Sequence, residues 1–241
     1  LKLMNFLVTS DSGDSFVEID GRINGLPDVS RTMVVAQAKR SSMRFDDLSD
    51  IIASIHDTGR NKFLASLSPG ENYSFSGNLV GMLDDFVANG EILSSKGNVY
   101  LDLLFRNERN TGSRFSGKIV TDKLDAGYIL SNEKFGEVTM NTGFDVLFKR
   151  NGGGIDLKLD SINVVRAGFN NYDYTNIQAN GHYTGRYFNG TVMCDDPNLK
   201  FIFGGLFTFA KNIDQASKYN FFASITYANL VALNFDKKNT V

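Results

Sequence analysis

The sequence predicts a mainly β fold: an elongated, curved antiparallel sheet of repeated hairpins and meanders forming a groove, with one or two short helices. Three observations carry this expectation. Glycine is abundant (23) and proline scarce (3), while phenylalanine and tyrosine (20 and 9) supply many aromatic positions without any tryptophan. Residues that reverse a chain cheaply recur between short runs. Within those runs apolar residues keep a period of two, which in a pleated strand places them on one face.

From Leu1 to Val8 and from Ser15 to Ile23 the alternation is partial, and Ser10-Asp11-Ser12-Gly13 between them reads as a hairpin turn. Gly25-Leu26-Pro27-Asp28 turns the chain into a third strand, Arg31 to Lys39. Phe45, Leu48, Ile51, Ile52 and Ile55 then fall at helical spacing, with Asp46 or Asp47 placed to cap the first turn, and Gly59-Arg60-Asn61 ends the helix. Such a helix would lie on the sheet as a lid or end plug.

After Pro69-Gly70, Tyr73, Phe75, Gly77 and Leu79 alternate, and Gly81 to Asp85 reverses the chain into Phe86 to Leu93. Ser95-Lys96-Gly97 turns again, and Val99, Leu101, Leu103 and Phe105 share a face opposite Tyr100, Asp102, Leu104 and Arg106. A strand from Phe115 to Val120 and a helical turn at Leu124 to Leu130 follow. Val138, Met140, Thr142, Phe144, Val146 and Phe148 are then of one parity, and Asn151-Gly152-Gly153-Gly154 closes a hairpin onto Ile155, Leu157 and Leu159.

Tyr174 to Phe209 reads as three strands, with reversals at Asn180-Gly181, Gly185-Arg186 and Asp195-Asp196-Pro197-Asn198. In the last of them Leu199, Phe201, Phe203, Phe207 and Phe209 form an apolar rail, opposite Lys200, Ile202, Gly204, Leu206 and Thr208. Final strands are expected at Tyr219 to Tyr227 and Asn229 to Asp236. Phe75-Ser76-Gly77 and Phe115-Ser116-Gly117, with Phe188-Asn189-Gly190 as a looser copy, recur at unequal intervals of 40 and 73 residues. One growing sheet fits that pattern better than a strict solenoid. Residues 1–241 therefore read as a single elongated unit with sub-repeats at 1–68, 69–150 and 151–241, and both ends look like pieces of a longer chain.

Composition and motifs narrow the chemistry. A net charge of −2 gives no field for a polyanion, so nucleic acid is not an expected partner. Gly112 to Lys118 has phosphate-loop spacing, but Ile119 follows the lysine where Ser or Thr is needed, and a strand follows where a helix is needed. His56, His182 and the lone Cys194 are too far apart in sequence for a metal set, so neither metal nor cofactor is expected, and Cys194 reads as structural. The pairs Asp46-Asp47, Asp84-Asp85 and Asp195-Asp196 have turn and capping roles that account for them. No catalytic residue is assigned and no enzyme is expected.

What remains is the apolar parity set Val99, Leu101, Leu103, Phe105, Val138, Met140, Phe144, Val146, Phe148, Leu199, Phe201, Phe203, Phe207 and Phe209. From periodicity its ordinary reading is the core of a sandwich or barrel; the sharper reading is the lining of an open groove for a ligand with long hydrocarbon chains.

Several stretches resemble the C-terminal part of the TamB and AsmA-like family of bacterial envelope proteins, particularly the long Bacteroidetes forms. They are Gly25 to Asp28 (GLPD) with Asp46-Asp47-Leu48, Phe75 to Phe86 (FSGNLVGMLDDF), Leu124 to Asn141 (LDAGYILSNEKFGEVTMN), and Tyr174 to Leu206 with FNGTV and DDPNLKFIFGGL. The resemblance implies a periplasmic segment of a Gram-negative protein anchored in the inner membrane elsewhere in its chain, similar to bridge-like lipid transfer proteins. It implies phospholipid acyl chains as the cargo of a hydrophobic β-groove and an Omp85-type outer-membrane partner. The alternative is a scaffold or chaperone-like module for outer-membrane protein assembly or secretion.

Overall fold

The computed structural model describes residues 1–11, 13–28, 31–44, 47, 71–108, 110–150, 152–210 and 216–236. Among these residues thirteen strands form one antiparallel sheet in which every strand pairs with its neighbours in sequence. They are β1 (Lys2–Thr9), β2 (Phe16–Asn24), β3 (Met33–Arg44), β4 (Asn72–Met82), β5 (Asp85–Ser94), β6 (Gly97–Glu108) and β7 (Gly112–Asp125). After a short helix α1 (Ala126–Leu130) come β8 (Phe135–Lys149), β9 (Ile155–Phe169), β10 (Tyr172–Thr184), β11 (Tyr187–Asp196), β12 (Leu199–Thr208) and β13 (Lys218–Ala228). β1 and β13 are the two edges, so the sheet does not close.

Local chemistry sets the reversals. Ser10 and Ser15 hold the first hairpin through Ser10 N–H donating to the Ser15 carbonyl, and Gly13 N–H donates back to Ser10 O. Asp125 caps α1 by accepting from Tyr128 N–H at 2.9 Å, and Ser131 ends it in the left-handed region. Asp196 accepts from Asn198 N–H at 2.8 Å and so fixes the β11–β12 turn.

Three expectations are corrected. Asn180-Gly181 is not a turn but lies mid-strand in β10, where Gly181 pairs with Gly190. The ring of Phe188 lies over both glycines: a Cβ on Gly181 or Gly190 would come within 2.9 and 2.8 Å of it. Glycine here makes room for an aromatic rather than a reversal. Asn229 to Asp236 is not a strand: after β13 the chain turns through Leu233 N–H to Asn229 O and Phe235 N–H to Leu230 O. The third strand is longer than expected and runs to Arg44. The expected helix at 45–55 lies outside the described residues except Asp47, which accepts from the Ser15 hydroxyl. His56 lies outside them as well.

Among the described residues the core expected of a sandwich or barrel is absent: no second sheet packs on the first, and the buried apolar side chains are only Met43, Leu147, Tyr174, Cys194 and Leu233. The reason is topological: a meander in which each strand pairs only with its sequence neighbours lays the described strands side by side, so none of them forms a second layer.

Candidate apolar ligand face

Directly paired residues of antiparallel strands point to the same side, so the register sorts the whole sheet into two faces. One row runs across twelve strands as Ile23, Val34, Gly81, Phe86, Phe105, Phe115, Val146, Leu157, Tyr183, Phe188, Phe207 and Tyr219. It lies toward the end of the sheet where β6 finishes, here the upper end. Two residues lower, the second row carries Gly21, Ala36, Leu79, Ala88, Leu103, Gly117, Phe144, Leu159, Gly181, Gly190, Gly205 and Phe221.

A third row includes Leu101, Ile119, Ala179, Val192 and Phe203, and a fourth includes Phe75, Val99, Thr121, Met140, Val164, Ile177, Cys194, Phe201 and Ile225. No Asp, Glu, Lys or Arg stands at any of these positions. At the ~4.8 Å spacing of neighbouring strands, thirteen strands give this face a length on the order of 55–60 Å.

All fourteen residues chosen by parity lie on this face. Phe105, Val146 and Phe207 are in the first row, Leu103 and Phe144 in the second, Leu101 and Phe203 in the third, and Val99, Met140 and Phe201 in the fourth. Val138 and Leu199 continue their strands below, and Phe148 and Phe209 continue theirs above. The parity survives because the bulges fall on other strands. Lys123 in β7 and Ser161 in β9 take positive φ, while β8 from Val138 to Phe148 and β12 stay regular.

The upper row is an aromatic ladder in two stretches. Phe86 and Phe105 have ring centroids 4.9 Å apart, Phe105 and Phe115 4.8 Å, and Phe115 meets Phe148 edge-on at 5.8 Å. Farther along, Phe188 and Phe207 lie at 6.0 Å, Phe207 and Tyr219 at 5.6 Å, and Phe203 and Phe221 at 5.6 Å. These rings are half-buried against one another and open to solvent; Phe148 and Phe209 are 44% and 43% exposed.

The opposite face collects the charge. Arg114 donates to Glu108 at 2.8 Å and to both oxygens of Asp145, Arg106 to Asp85 at 3.2 Å, and Lys200 to Asp195 at 2.7 Å. His182 and Asp156 meet at 2.7 Å, which holds the Asp156 carboxyl below its usual range. A shallow depression on this face, bordered by Gln37, Asn78, Asn89 and Glu91, is lined by groups that bond one another, such as Asn78 to Asn89 at 3.1 Å.

The lower end of β10 to β12 is closed by polar bonds. By register Asp196 shares the face of Cys194 and Leu199, and it is 1% exposed. It accepts from Tyr172 O–H at 2.6 Å, Thr175 N–H at 2.9 Å and Thr175 O–H at 3.0 Å. The segment after β13 crosses this end, with Asn229 N–H donating to Asn198 O and Asn234 bonded to Asn170 and Asn171. Sequence reasoning missed this network, because its members stand 21 to 64 positions apart and each looks like an ordinary turn residue.

Among the described residues no group of three or more His, Cys, Asp or Glu is placed to hold a metal ion, and no helix is long and apolar enough to cross a membrane. Cys194 is 2% exposed and burial pushes its thiol pKa up. Gly112 to Lys118 lies within strand β7, so no helix N-terminus follows it. No protein-family model matches the chain, and no curated protein or solved structure matches it either.

Proposed function

We propose that the chain is a non-enzymatic segment of a Gram-negative envelope protein that holds and conducts lipid acyl chains along its apolar face, in the periplasm between inner and outer membranes. The single observation that carries the reading is a four-row, charge-free apolar face that no second sheet covers among the described residues, with Ile92, Phe148, Phe209, Tyr219, Phe221 and Ile225 exposed on it. A soluble protein rarely leaves so large an apolar surface without a ligand or partner. Burying a CH₂ stabilises by about 0.8 kcal/mol, so a chain of ~16 carbons gains on the order of 10 kcal/mol at most. Because the rows repeat the same chemistry from strand to strand, a ligand moving along them exchanges equivalent contacts, and no chemical step is needed. The likeness to the TamB and AsmA-like family agrees with this reading, with phospholipid as cargo, an Omp85-type partner and an inner-membrane anchor in the full-length protein.

The test is lipid recovered with the purified chain, compared between Phe203→Asp on the apolar face and Lys200→Asp on the charged one. Lipid on the parent and on Lys200→Asp, lost from a still folded Phe203→Asp, is the expected result. An unfolded Phe203→Asp together with a lipid-free parent would sink the proposal.

A second reading is favoured by the unpaired edges β1 and β13, whose backbones offer hydrogen bonds to an added strand. In it the chain is a scaffold for unfolded outer-membrane strands. A photoreactive residue at Met4 or Ser224 capturing barrel precursors, with only protein captured at Phe203, would favour it over lipid transport.

A further inference from the structure

The two rims of the apolar face differ in charge between β8 and β13, and the difference orients a ligand. By register Lys149, Asp156 and Lys218 at the upper end, and Arg166, Asp173, Asp195 and Lys200 at the lower, belong to the opposite face. Beside the apolar rows stand Arg150 and Arg186 at the upper rim, just past the ends of β8 and β10, and the Asp196 carboxylate at the lower. Arg150 donates to Asn107 Oδ1 at 3.4 Å.

Arg186 has the most telling place. It sits in the β10–β11 turn, its backbone carbonyl accepting from Phe209 N–H at 2.8 Å. Its guanidinium donates only to the Phe209 carbonyl, at 3.3 Å, and no described carboxylate pairs with it. Phe209 in turn meets Tyr183 of the aromatic row at 6.4 Å. A cation with unused donors therefore stands at the head of the aromatic row.

Depth along the strands fits the same geometry. From Phe207 in the first row to Phe201 in the fourth is six residues, or ~20 Å. One leaflet of a ~30 Å hydrocarbon core is about 15 Å deep, so an acyl chain laid parallel to the strands spans the rows and ends near the closed lower end.

We infer that the upper rim between β8 and β13 binds the anionic headgroup of an amphiphile, with Arg186 as its principal contact, assisted by Arg150. The hydrocarbon chain then points down the strands. This rests on the lipid reading above and adds to it a headgroup charge, a rim and an orientation.

The test titrates the whole chain with three fluorescent lipids of the same chains: phosphatidylglycerol, phosphatidylcholine and diacylglycerol. Arg186→Gln should weaken phosphatidylglycerol about tenfold, the loss of one charge-assisted contact, and leave diacylglycerol unchanged. Arg150→Gln should act in the same direction, Arg186→Lys should restore part of the affinity, and Lys218→Gln and Lys200→Gln, both on the opposite face, should change nothing. Equal binding of all three lipids by the parent, with no effect of Arg186→Gln, would overturn the rim while leaving the apolar face intact. Binding of none of them would remove the lipid reading itself. Inorganic phosphate at millimolar concentration should not displace the lipid; full displacement, with diacylglycerol unbound, would make the rim a free-anion site and overturn the proposal.

Discussion

Asn170 and Asn234, sixty-four positions apart, exchange hydrogen bonds: Asn170 Nδ2 donates to the Asn234 carbonyl at 3.0 Å and Asn234 Nδ2 donates to the Asn170 carbonyl at 3.1 Å. They tie the segment after β13 to the β9–β10 turn, across the ends of β11 and β12. Leu233 beside them is 1% exposed, the most fully buried apolar side chain among the described residues.

Asn234→Ala removes both of its donated bonds, to Asn170 and Asn171, and should cost about 1 kcal/mol because the site is exposed. Amide hydrogen exchange of Leu230 to Asp236 should quicken while that of β6 and β7 stays unchanged. Equal protection in both proteins would show that Leu233 and the remaining bonds, among them Asn229 N–H to Asn198 O, hold the segment without the Asn234 side chain.

Phe105 touches Phe86 and Phe115 at the centre of the first aromatic stretch. Truncation to Ala in a closed core costs ~3–5 kcal/mol, but these rings are half-solvated, so Phe105→Ala should cost only about 2 kcal/mol. Urea unfolding measures it, and a loss of 4 kcal/mol or more would mean that a covering layer hides this face in solution.

Gly117 has φ +154°, and a Cβ there would lie 1.8 Å from the Asp102 carbonyl oxygen. Gly117→Ala must therefore push β6 and β7 apart and should destabilise by about 2 kcal/mol or more. Gly152, with open space around it, bears an added methyl without a clash, so Gly152→Ala should cost less, through its φ of +70° alone. Thermal unfolding of the two variants side by side checks the order.

Burial pushes the Asp196 carboxyl up, but the donors Tyr172, Asn198 and Thr175 outweigh it and hold its pKa below the ordinary range. A depressed folded value means stability that is present above the unfolded pKa of about 3.9 and lost as pH falls through the folded one. Acid titration of unfolding should thus show a steeper loss below pH ~4 for the parent than for Asp196→Asn, whose side chain cannot take up that proton. Identical slopes would assign the acid transition to other carboxylates.

Cys194 is buried in the fourth row with its thiol pKa raised, so it should resist a thiol reagent in the folded chain and react at once in denaturant. Rapid labelling of the native protein would mean that β11 opens readily.

The sequence by itself determined most of the strands, most of their turns and the face side chains take in the regular strands. Period-two patterning is a property of the strand, and it reads correctly wherever the strand is regular, as in Val138 to Phe148 and Leu199 to Phe207. It failed at Asn180-Gly181, since a glycine that admits a neighbour's ring and a glycine that turns the chain look the same until Phe188 is seen above it. Whether the apolar rail lay in a closed core or on an open face was undecidable from parity, because both demand the same alternation. Only the pairing order decided it. With every described strand beside its sequence neighbours and none of them returning over the sheet, the apolar rows form one face and not the inside of a sandwich, and the contacts that close their lower end join residues too far apart in the chain for any local pattern to announce.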